Sequence, residues 1–351
     1  MDFRETIARL SEPPGVSGYE QRAAACASAL LAPLCDTVET LPLFSVAGTR
    51  YAKVPGAPKV LLDAHIDQIG FIVTGYAGEG FVRFAPCGGF DPRVLPAKEV
   101  LVHTKTQTLH GVIACLPPHM RDAEKAADAA VTIDDLVVDV GLSRAETEEA
   151  VPIGTPVTVN APPFALANDF IGAAALDDRA CFAAILYALE LLRDEPLAVD
   201  LTVVGSAREE TSGAGASTAA YQFRPDYAVA VDVTHAWTPD APKERTFPAG
   251  CGACIGIGPH LNRKVSSTLV HLAEARGIPY QREILPGFTG TNASSMQTVR
   301  TGVATGLVSL PLRYMHTACE VIRESDARAC GELLAAFVRS FNEGVPQCWN
   351  C

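Results

Sequence analysis

From about residue 167 onward, the chain alternates between short apolar runs and longer segments in which apolar residues recur with helical spacing. The runs VDLTVVG and DYAVAVDV are typical of buried strands, whereas RACFAAILYALELL and SSTLVHLAEARG are typical of helices. A last helix, SDARACGELLAAFVRSF, is expected to begin at a Ser/Asp cap. Strands that alternate with helices favour a mostly parallel sheet covered by helices on both faces. The sequence therefore predicts an α/β fold.

Residues 69–165 have a different character from the rest of the chain. They consist of short β-rich pieces, such as FIVTG, FVRFAP, EVLVHT, TLHGVIACL and TPVTVNA, which are separated by Gly and Pro. One exception, AEKAADAAVTIDDL, predicts a short helix. We therefore expect residues 69–165 to form a small β domain inserted into a main domain made of residues 1–68 and 166–351.

Carboxylates and histidines lie at the ends of apolar strands at five places: DAHID at 63–67, LDDR at 176–179, REE at 208–210, VDV at 231–233 and RYMH at 313–316. Ligands of an open α/β sheet bind beyond the carboxyl ends of its strands, so these clusters should converge. The two-residue period of a strand places Asp63, His65 and Asp67 on one face, where unpaired charges would be costly in a core. Adjacent Glu209 and Glu210 would repel each other unless something positive lies between them.

A pair of metal ions accounts for these clusters jointly, although each cluster alone also fits a structural role. His65 alone could be a hydrogen-bonded core histidine, and Asp178 with Arg179 could be a charged first helical turn. Together the clusters offer oxygen and nitrogen donors, which suit zinc or cobalt better than a structural thiolate site would. One carboxylate can bridge two ions about 3.5 to 4 Å apart, an arrangement that activates water for hydrolysis. An extra glutamate beside a ligand is then free to act as general base.

Eight motifs occur in order along nearly the whole chain: PPGVSGYE, AHIDQIGFIV, GVIACLPPHM, VVDVGLSRAE, ALDDRACFAAIL, REETSGAGA, AVDVTH and GLVSLPLRYMHT. In these motifs the sequence resembles the cytosolic dinuclear-metal aminopeptidases, a family that includes the TET peptidases and proteins called glutamyl aminopeptidase or endoglucanase M. Their number and order make this resemblance far more specific than any single motif.

The resemblance implies that two divalent ions, zinc or cobalt with manganese also tolerated, are bound in each subunit. The implied metal ligands are His65, Asp177, Glu210, Asp232 and His316. Asp177 would bridge the ions, with His65 and Asp232 completing one of them and Glu210 and His316 the other. Glu209 matches the general base and Asp67 the carboxylate that orients His65. A cis peptide bond after Asp177 is also implied.

The same resemblance implies an aminopeptidase that removes N-terminal residues from short peptides. The inserted domain would be a PDZ-like β-barrel that mediates assembly into a homo-oligomer, between a dimer and a dodecamer. Two positions depart from the family pattern: Gln68 stands where Glu is usual, and Asn292 stands where Asp is usual. Neither is an implied ligand, so we expect these departures to bear on the charge of the pocket and hence on substrate preference.

Composition and cysteine usage exclude several other functions. A net charge of −12 has the wrong sign for a protein that neutralises phosphates, so we expect no nucleic-acid partner. The N-terminus MDFRETIARL lacks an apolar signal region and no later stretch suits a bilayer, so we expect a cytoplasmic protein without a membrane partner. Eleven cysteines in a reducing compartment do not predict a disulfide framework. The CxxC pairs Cys251/Cys254 and Cys348/Cys351 are not expected to form a redox or structural-metal site.

Two alternatives to an aminopeptidase follow from the same residues. A dinuclear amidohydrolase or deacylase would use the metal pair on N-acyl amino acids, and it would differ in cleaving blocked rather than free substrates. A catalytically silent oligomeric scaffold would use only the fold. A scaffold has no physical need for buried like charges, which favours the enzymes.

Overall fold

The structure is a computed structural model that describes residues 1–116, 120 and 131–343. Within these residues there are eight α-helices: α1 (Phe3–Ser11), α2 (Gln21–Leu31), α3 (Arg144–Ala150), α4 (Leu176–Leu191), α5 (Ala214–Phe223), α6 (Arg263–Arg276), α7 (Asn292–Met296) and α8 (Glu324–Ser340). The strands in the same residues are β1 (Thr37–Thr40), β2 (Val46–Arg50), β3 (Lys59–His65), β4 (Gly70–Ala77), β5 (Phe81–Cys87), β6 (Glu99–His103), β7 (Thr108–Ala114), β8 (Val137–Asp139), β9 (Pro156–Val159), β10 (Phe164–Ala165), β11 (Phe170–Ala173), β12 (Asp200–Ser206), β13 (Tyr227–His235), β14 (Ala253–Ile257), β15 (Tyr280–Ile284), β16 (Ala304–Arg313) and β17 (Glu320–Arg323).

The larger of the two sheets has eleven strands, in the order β1-β2-β12-β3-β13-β16-β17-β11-β10, and β14 and β15 branch from β16. The four central strands β12, β3, β13 and β16 are parallel, as are β14 and β15. The flanking pairs are antiparallel. The predicted α/β fold class is confirmed, with the sheet mixed and its parallel strands at the centre. The carboxyl ends of the four central strands therefore lie at one edge.

Helices cover both faces of this sheet, as predicted, because successive strand residues point to opposite sides. Val229, Val231 and Val233 of β13 belong to one core cluster, together with residues of α1, α2, α4, α6 and α8. Ala228 and Ala230 belong to a second cluster with residues of α5 and α7. Helix α4 is buried along most of its length, and after its charged first turn nearly all its residues are apolar.

The smaller sheet is a closed barrel in the order β4-β5-β8-β7-β6-β9. It has its own apolar core, which includes Phe71, Val100, Val138 and Val157. Each β-rich piece predicted in this region contains a strand. Most of the predicted helix AEKAADAAVTIDDL, residues 123–130, lies outside the described residues. Strand β10, which the predicted insertion includes, pairs with β11 in the larger sheet.

The structure tests two predicted helix boundaries, the end of α6 at Gly277 and the start of α8 at a Ser/Asp cap. Helix α6 ends before Gly277, which has a φ of 66°, the left-handed conformation that glycine adopts readily. The predicted Ser/Asp start of α8 is wrong, since the helix begins at Glu324 and is preceded by Arg323 without a side-chain cap. Asp326 instead accepts hydrogen bonds from the backbone N–H groups of Gly250 and Gly252. No helix in the described part of the chain combines the length and apolar character that a membrane crossing requires.

Candidate active site

The residues predicted at strand ends come together at the carboxyl edge of the central strands. We call six of them the strand-end cluster: His65, Asp177, Glu209, Glu210, Asp232 and His316. His65 ends β3, Asp232 lies near the end of β13, and the two glutamates follow β12. Because β12 and β13 flank β3 in the sheet, these residues reach one site from adjacent strands. Asp177 comes from the start of α4 and His316 from the loop after β16.

Asp177 lies between two histidines, and each of its carboxylate oxygens faces a different one. Asp177 Oδ1 is 3.1 Å from His65 Nε2, and Oδ2 is 3.4 Å from His316 Nε2. Its peptide bond to Asp178 is cis, as the resemblance implied. A carboxylate that presents one oxygen to each of two nitrogen donors has the arrangement of a bridging ligand.

The two glutamates lie on either side of this carboxylate. Glu210 Oε2 is 3.3 Å from His316 Nε2, and Glu209 Oε2 is 3.9 Å from His65 Nε2. Glu210 is more deeply buried than Glu209, with 4% and 17% of their side-chain surfaces exposed. Glu209 is thus the member of the pair that a molecule entering from solvent reaches more readily.

Asp67 connects the loop after β3 with the loop after β12. Its carboxylate accepts hydrogen bonds from the backbone N–H groups of Glu209 and Glu210, at 3.0 and 3.2 Å. His65 Nδ1 lies 3.1 Å from the Asp67 carbonyl oxygen and 3.4 Å from its carboxylate. Asp67 therefore sets the backbone of both glutamates as well as the ring of His65.

Asp232 reaches the cluster beside Asp178, for which the sequence also allowed the structural role of a charged first helical turn. His65, Asp178 and Asp232 have ligand atoms that all lie within 4.8 Å of one another, as do His65, Asp177 and Glu210. Asp178 is fully buried, and its Oδ2 accepts a hydrogen bond from the His65 backbone N–H. Its φ of −121° and ψ of 21° are not helical. Asp178 is thus part of the wall behind His65 rather than a solvated first-turn residue.

The electrostatics of the cluster fit a divalent cation. Burial raises the pKa of Glu210 and of Asp232 well above the ordinary range, and neighbouring carboxylates raise both further. Burial alone would lower the pKa of His65, but hydrogen bonds with Asp177 and Asp67 raise it well above 6.5. Glu210 Oε1 and Asp178 Oδ1 are buried without a hydrogen-bond partner. Excess buried carboxylate with free oxygens is the donor set that a hard or borderline cation binds.

Sequence reasoning missed two buried glutamates that support the cluster. Glu320 accepts hydrogen bonds from the backbone N–H groups of Asp177 and His316, at 3.0 and 3.2 Å. Glu20 accepts hydrogen bonds from the N–H groups of Gly18 and Arg208, at 2.6 and 3.1 Å. Glu320 stands at the start of an apolar strand, four residues after His316, and this position was the available signal.

Neither departure from the family pattern lies in the pocket. Gln68 is buried and accepts a hydrogen bond from Arg179, whose other donors go to backbone carbonyls. Asn292 is buried and donates to Asp63 and Ser206, at 2.8 and 2.9 Å. Neither residue lines the cavity beside the strand-end cluster, so the expected effect on substrate preference would have to act through their buried partners and stays a prediction.

A cavity of about 640 Å³ opens beside the strand-end cluster. The rest of its lining comes largely from residues 283–295, here called the pocket segment, and from β13 and β16. His235, an exposed residue at the end of β13, also lines the cavity. Cys251 and Cys254 are free thiols outside it, and the pair Cys348/Cys351 lies outside the described residues.

The chain is similar to aminopeptidases over nearly its whole length. Residues 48–333 match the sequence profile described as M42 glutamyl aminopeptidase. The lysyl aminopeptidase of Pyrococcus furiosus is 35% identical over 327 residues, which is 92% of each chain. An aminopeptidase from the archaeon Desulfurococcus kamchatkensis superimposes with a TM-score of 0.90 and 32% identity, covering 96% of this chain and 94% of that one. The TET1 peptidase of Pyrococcus horikoshii, which can assemble into a tetrahedron or a large octahedral shell, gives 0.84 and 26%, covering 96% and 99%. The chain therefore belongs to the M42 glutamyl aminopeptidase family of peptide hydrolases.

Proposed function

We propose that the protein is a two-metal aminopeptidase that hydrolyses the N-terminal residue from short peptides. The observation that carries this proposal is the position of Asp177, whose two oxygens face His65 at 3.1 Å and His316 at 3.4 Å. One ion would be held by His65, Asp177 and Asp232, and the other by Asp177, Glu210 and His316. Asp178 lies close to His65 and Asp232 and would orient His65 through its backbone N–H group.

The donor set of imidazole and carboxylate favours zinc or cobalt, and manganese is compatible with it. When bound, two such ions would lower the pKa of water and polarise the scissile carbonyl group. The carboxylates of Asp177, Glu210 and Asp232 are held close together by the fold, so cation binding relieves a repulsion that the free protein bears.

Glu209 would move the proton. Its Oε2 atom is 3.9 Å from His65 Nε2, and its side chain is the more exposed of the glutamate pair. Burial raises its pKa above the ordinary range, which makes its carboxylate a better proton acceptor. Glu209 would take a proton from the attacking water and deliver it to the nitrogen of the departing peptide.

The domain organisation is also a proposal. Residues 1–68 and 166–351 would form the catalytic domain, and residues 69–165 an oligomerisation domain of a cytoplasmic homo-oligomer. Exposed Phe81, Val112 and Ile153 in the barrel region support an interface there. The assembly of the Pyrococcus horikoshii relative supports the same idea.

A substrate panel tests the proposed activity. The protein is stripped of metal with a chelator, reloaded with zinc, cobalt or manganese, and assayed on aminoacyl anilides with free or acetylated amino groups. We expect metal-restored cleavage of the free substrates only. Cleavage of the acetylated set would instead support an amidohydrolase. Silence on both sets, with metal shown to be bound, would contradict the proposed activity and support a scaffold.

A further inference from the structure

The cavity contains one carboxylate that the proposed mechanism does not use. Among the described residues, five lining residues carry a carboxylate: Asp177, Glu209, Glu210, Asp232 and Glu283. The first four belong to the strand-end cluster. Glu283 lies on β15, at the edge of the branch from the main sheet, and is only 7% exposed.

The burial of Glu283 reverses the usual pattern of a strand. Its neighbours Arg282 and Ile284 are exposed, and Ile284 is 66% exposed. A strand that served only packing would bury the isoleucine and expose the glutamate. The reversal directs a charged group into the cavity at the expense of an apolar one, which indicates a ligand rather than a packing role.

Two hydroxyl groups fix the position of the Glu283 carboxylate. Thr234 Oγ1 donates to Glu283 Oε1 and Ser309 Oγ donates to Oε2, both at 2.6 Å. Ser309 is the register partner of Asp232 in the neighbouring strand, and Thr234 lies two residues beyond Asp232. All three side chains therefore point to the same face of the sheet. Thr234 lies one two-residue repeat of the strand, roughly 7 Å, from Asp232.

Among the described residues Glu283 has no ion-pair partner, although His235, which also lines the cavity, interacts with it electrostatically. No lysine or arginine is among the described residues that line the cavity, and no ion pair joins Glu283 to the rest of the described chain. Burial raises the pKa of Glu283, and the hydrogen bonds from Ser309 and Thr234 only partly oppose this effect. Leu285 and Leu307, two residues from Glu283 and Ser309 respectively, add apolar wall.

We propose that Glu283 determines specificity by receiving the cationic end of a lysine or arginine side chain at the N-terminus of the peptide. The apolar wall would contact the alkyl stem, and the carboxylate would pair with the ammonium or guanidinium group. An N-terminal glutamate would meet a buried like charge and be rejected. This inference rests on the proposed aminopeptidase activity, but it concerns only the choice among substrates.

Lysine and norleucine anilides provide a direct test, because their side chains have the same four-carbon stem and differ in the ammonium group. For the metal-loaded wild-type enzyme, we expect kcat/KM to be about 10- to 100-fold higher for lysine than for norleucine. In Glu283→Gln, which keeps the shape and removes the charge, this ratio should fall to near one while norleucine cleavage persists. The matched control is Glu274→Gln, which removes an exposed carboxylate on α6 that contacts Tyr280 outside the cavity.

The outcomes separate this inference from the proposed activity. If the wild-type kcat/KM for norleucine or glutamate anilides equals that for lysine anilides, Glu283 does not select a cation, although the enzyme is still an aminopeptidase. If Glu283→Gln lowers both rates equally, its role is structural and the inference is overturned. If no free substrate is cleaved at all, the proposed activity itself has failed. If Glu283→Gln does not fold, a wild-type ratio near one still overturns the inference.

Discussion

The strand-end cluster and the pocket segment line the same cavity but are built in different ways. Most of the cluster lies at or just beyond the ends of parallel strands, with Asp177 at the start of α4. Its backbone is fixed by N–H groups that donate hydrogen bonds to the carboxylates of Asp67 and Glu320. In the pocket segment, residues 286–288 are exposed, and Phe288 is 75% exposed. The proposed chemistry thus lies mainly at the edge of the sheet, whereas the contacts for the substrate side chain lie largely on a loop. Glu283 is the exception, since hydrogen bonds to two strands hold it.

This difference predicts two kinds of response to mutation. Changes in the strand-end cluster should affect all substrates alike, since every substrate uses the same reacting groups. Changes in the pocket segment should alter the ranking of substrates and leave the reaction itself intact.

Glu209→Gln should have the largest effect. Removing the proposed proton carrier should lower kcat by about 10²- to 10⁴-fold for every substrate, with little change in metal content. Steady-state kinetics on lysine and norleucine anilides, together with metal analysis of the purified variant, measure both quantities. Turnover close to wild type with metal still bound would show that Glu209 is not the base.

Glu320→Gln should act through the metal. One side-chain oxygen would be replaced by an NH₂ group that faces a backbone N–H of Asp177 or His316, so one of the two ligands should shift. We expect metal affinity to fall by about 10- to 100-fold, as measured by titration of the stripped protein, and activity to return with excess metal. Glu324→Gln is the matched control, because Glu324 pairs with Arg4 and Arg328 on the surface of the same segment. Unchanged affinity in Glu320→Gln would assign this residue to folding alone.

The sequence predicted the strand-end cluster more fully than the pocket segment, for a physical reason. His65, Asp177 and Asp232 adjoin long apolar runs, where an ionisable group needs a partner, so each is visible without a structure. The two core layers of the sheet followed from the alternation of strands and helices. The ligand atoms of His65 and Asp232 also lie close to Asp178, however. The burial of Asp178 depends on packing that a local sequence pattern does not contain.

Glu283 could not be predicted because its partners are distant in the chain, and Glu320 was missed because its link to Asp177 spans 143 positions. Glu283 is held by Thr234 and Ser309, 49 and 26 positions away. The segment YQREI alternates in a way that would normally place Ile284 inside. Similarly, Asp326 looked like a helix cap but binds Gly250 and Gly252 from another part of the chain. In each case a tertiary contact overrides the local pattern.

The preference for lysine should depend on pH in a defined direction. Because burial raises the pKa of Glu283, its carboxylate takes up a proton at a higher pH than an ordinary glutamate does. The hydrogen bonds from Ser309 and Thr234 and the nearby His235 oppose this shift only in part. The ratio of kcat/KM for lysine over norleucine should therefore be largest above that pKa and decline as the pH falls through it. Norleucine corrects for titration of the strand-end cluster, which acts on both substrates. In Glu283→Gln the ratio should be flat with pH, and a wild-type ratio that stays constant into the acidic range would contradict the assignment.

Phe288→Ala should have the smallest effect and is the sharpest check on the loop. The ring is exposed, and its centroid lies 5.1 Å from that of the His260 ring, so the fold loses little packing when it is removed. A substrate would cover part of the ring, and we therefore expect KM to rise by about 2- to 5-fold with kcat and the thermal midpoint unchanged. Ile284→Ala, which removes a similarly exposed side chain that does not line the cavity, should leave KM unaltered. A large fall in kcat for Phe288→Ala would mean that the loop takes part in the reaction. The assignment of the reaction to the sheet and of substrate contacts to the loop would then be wrong.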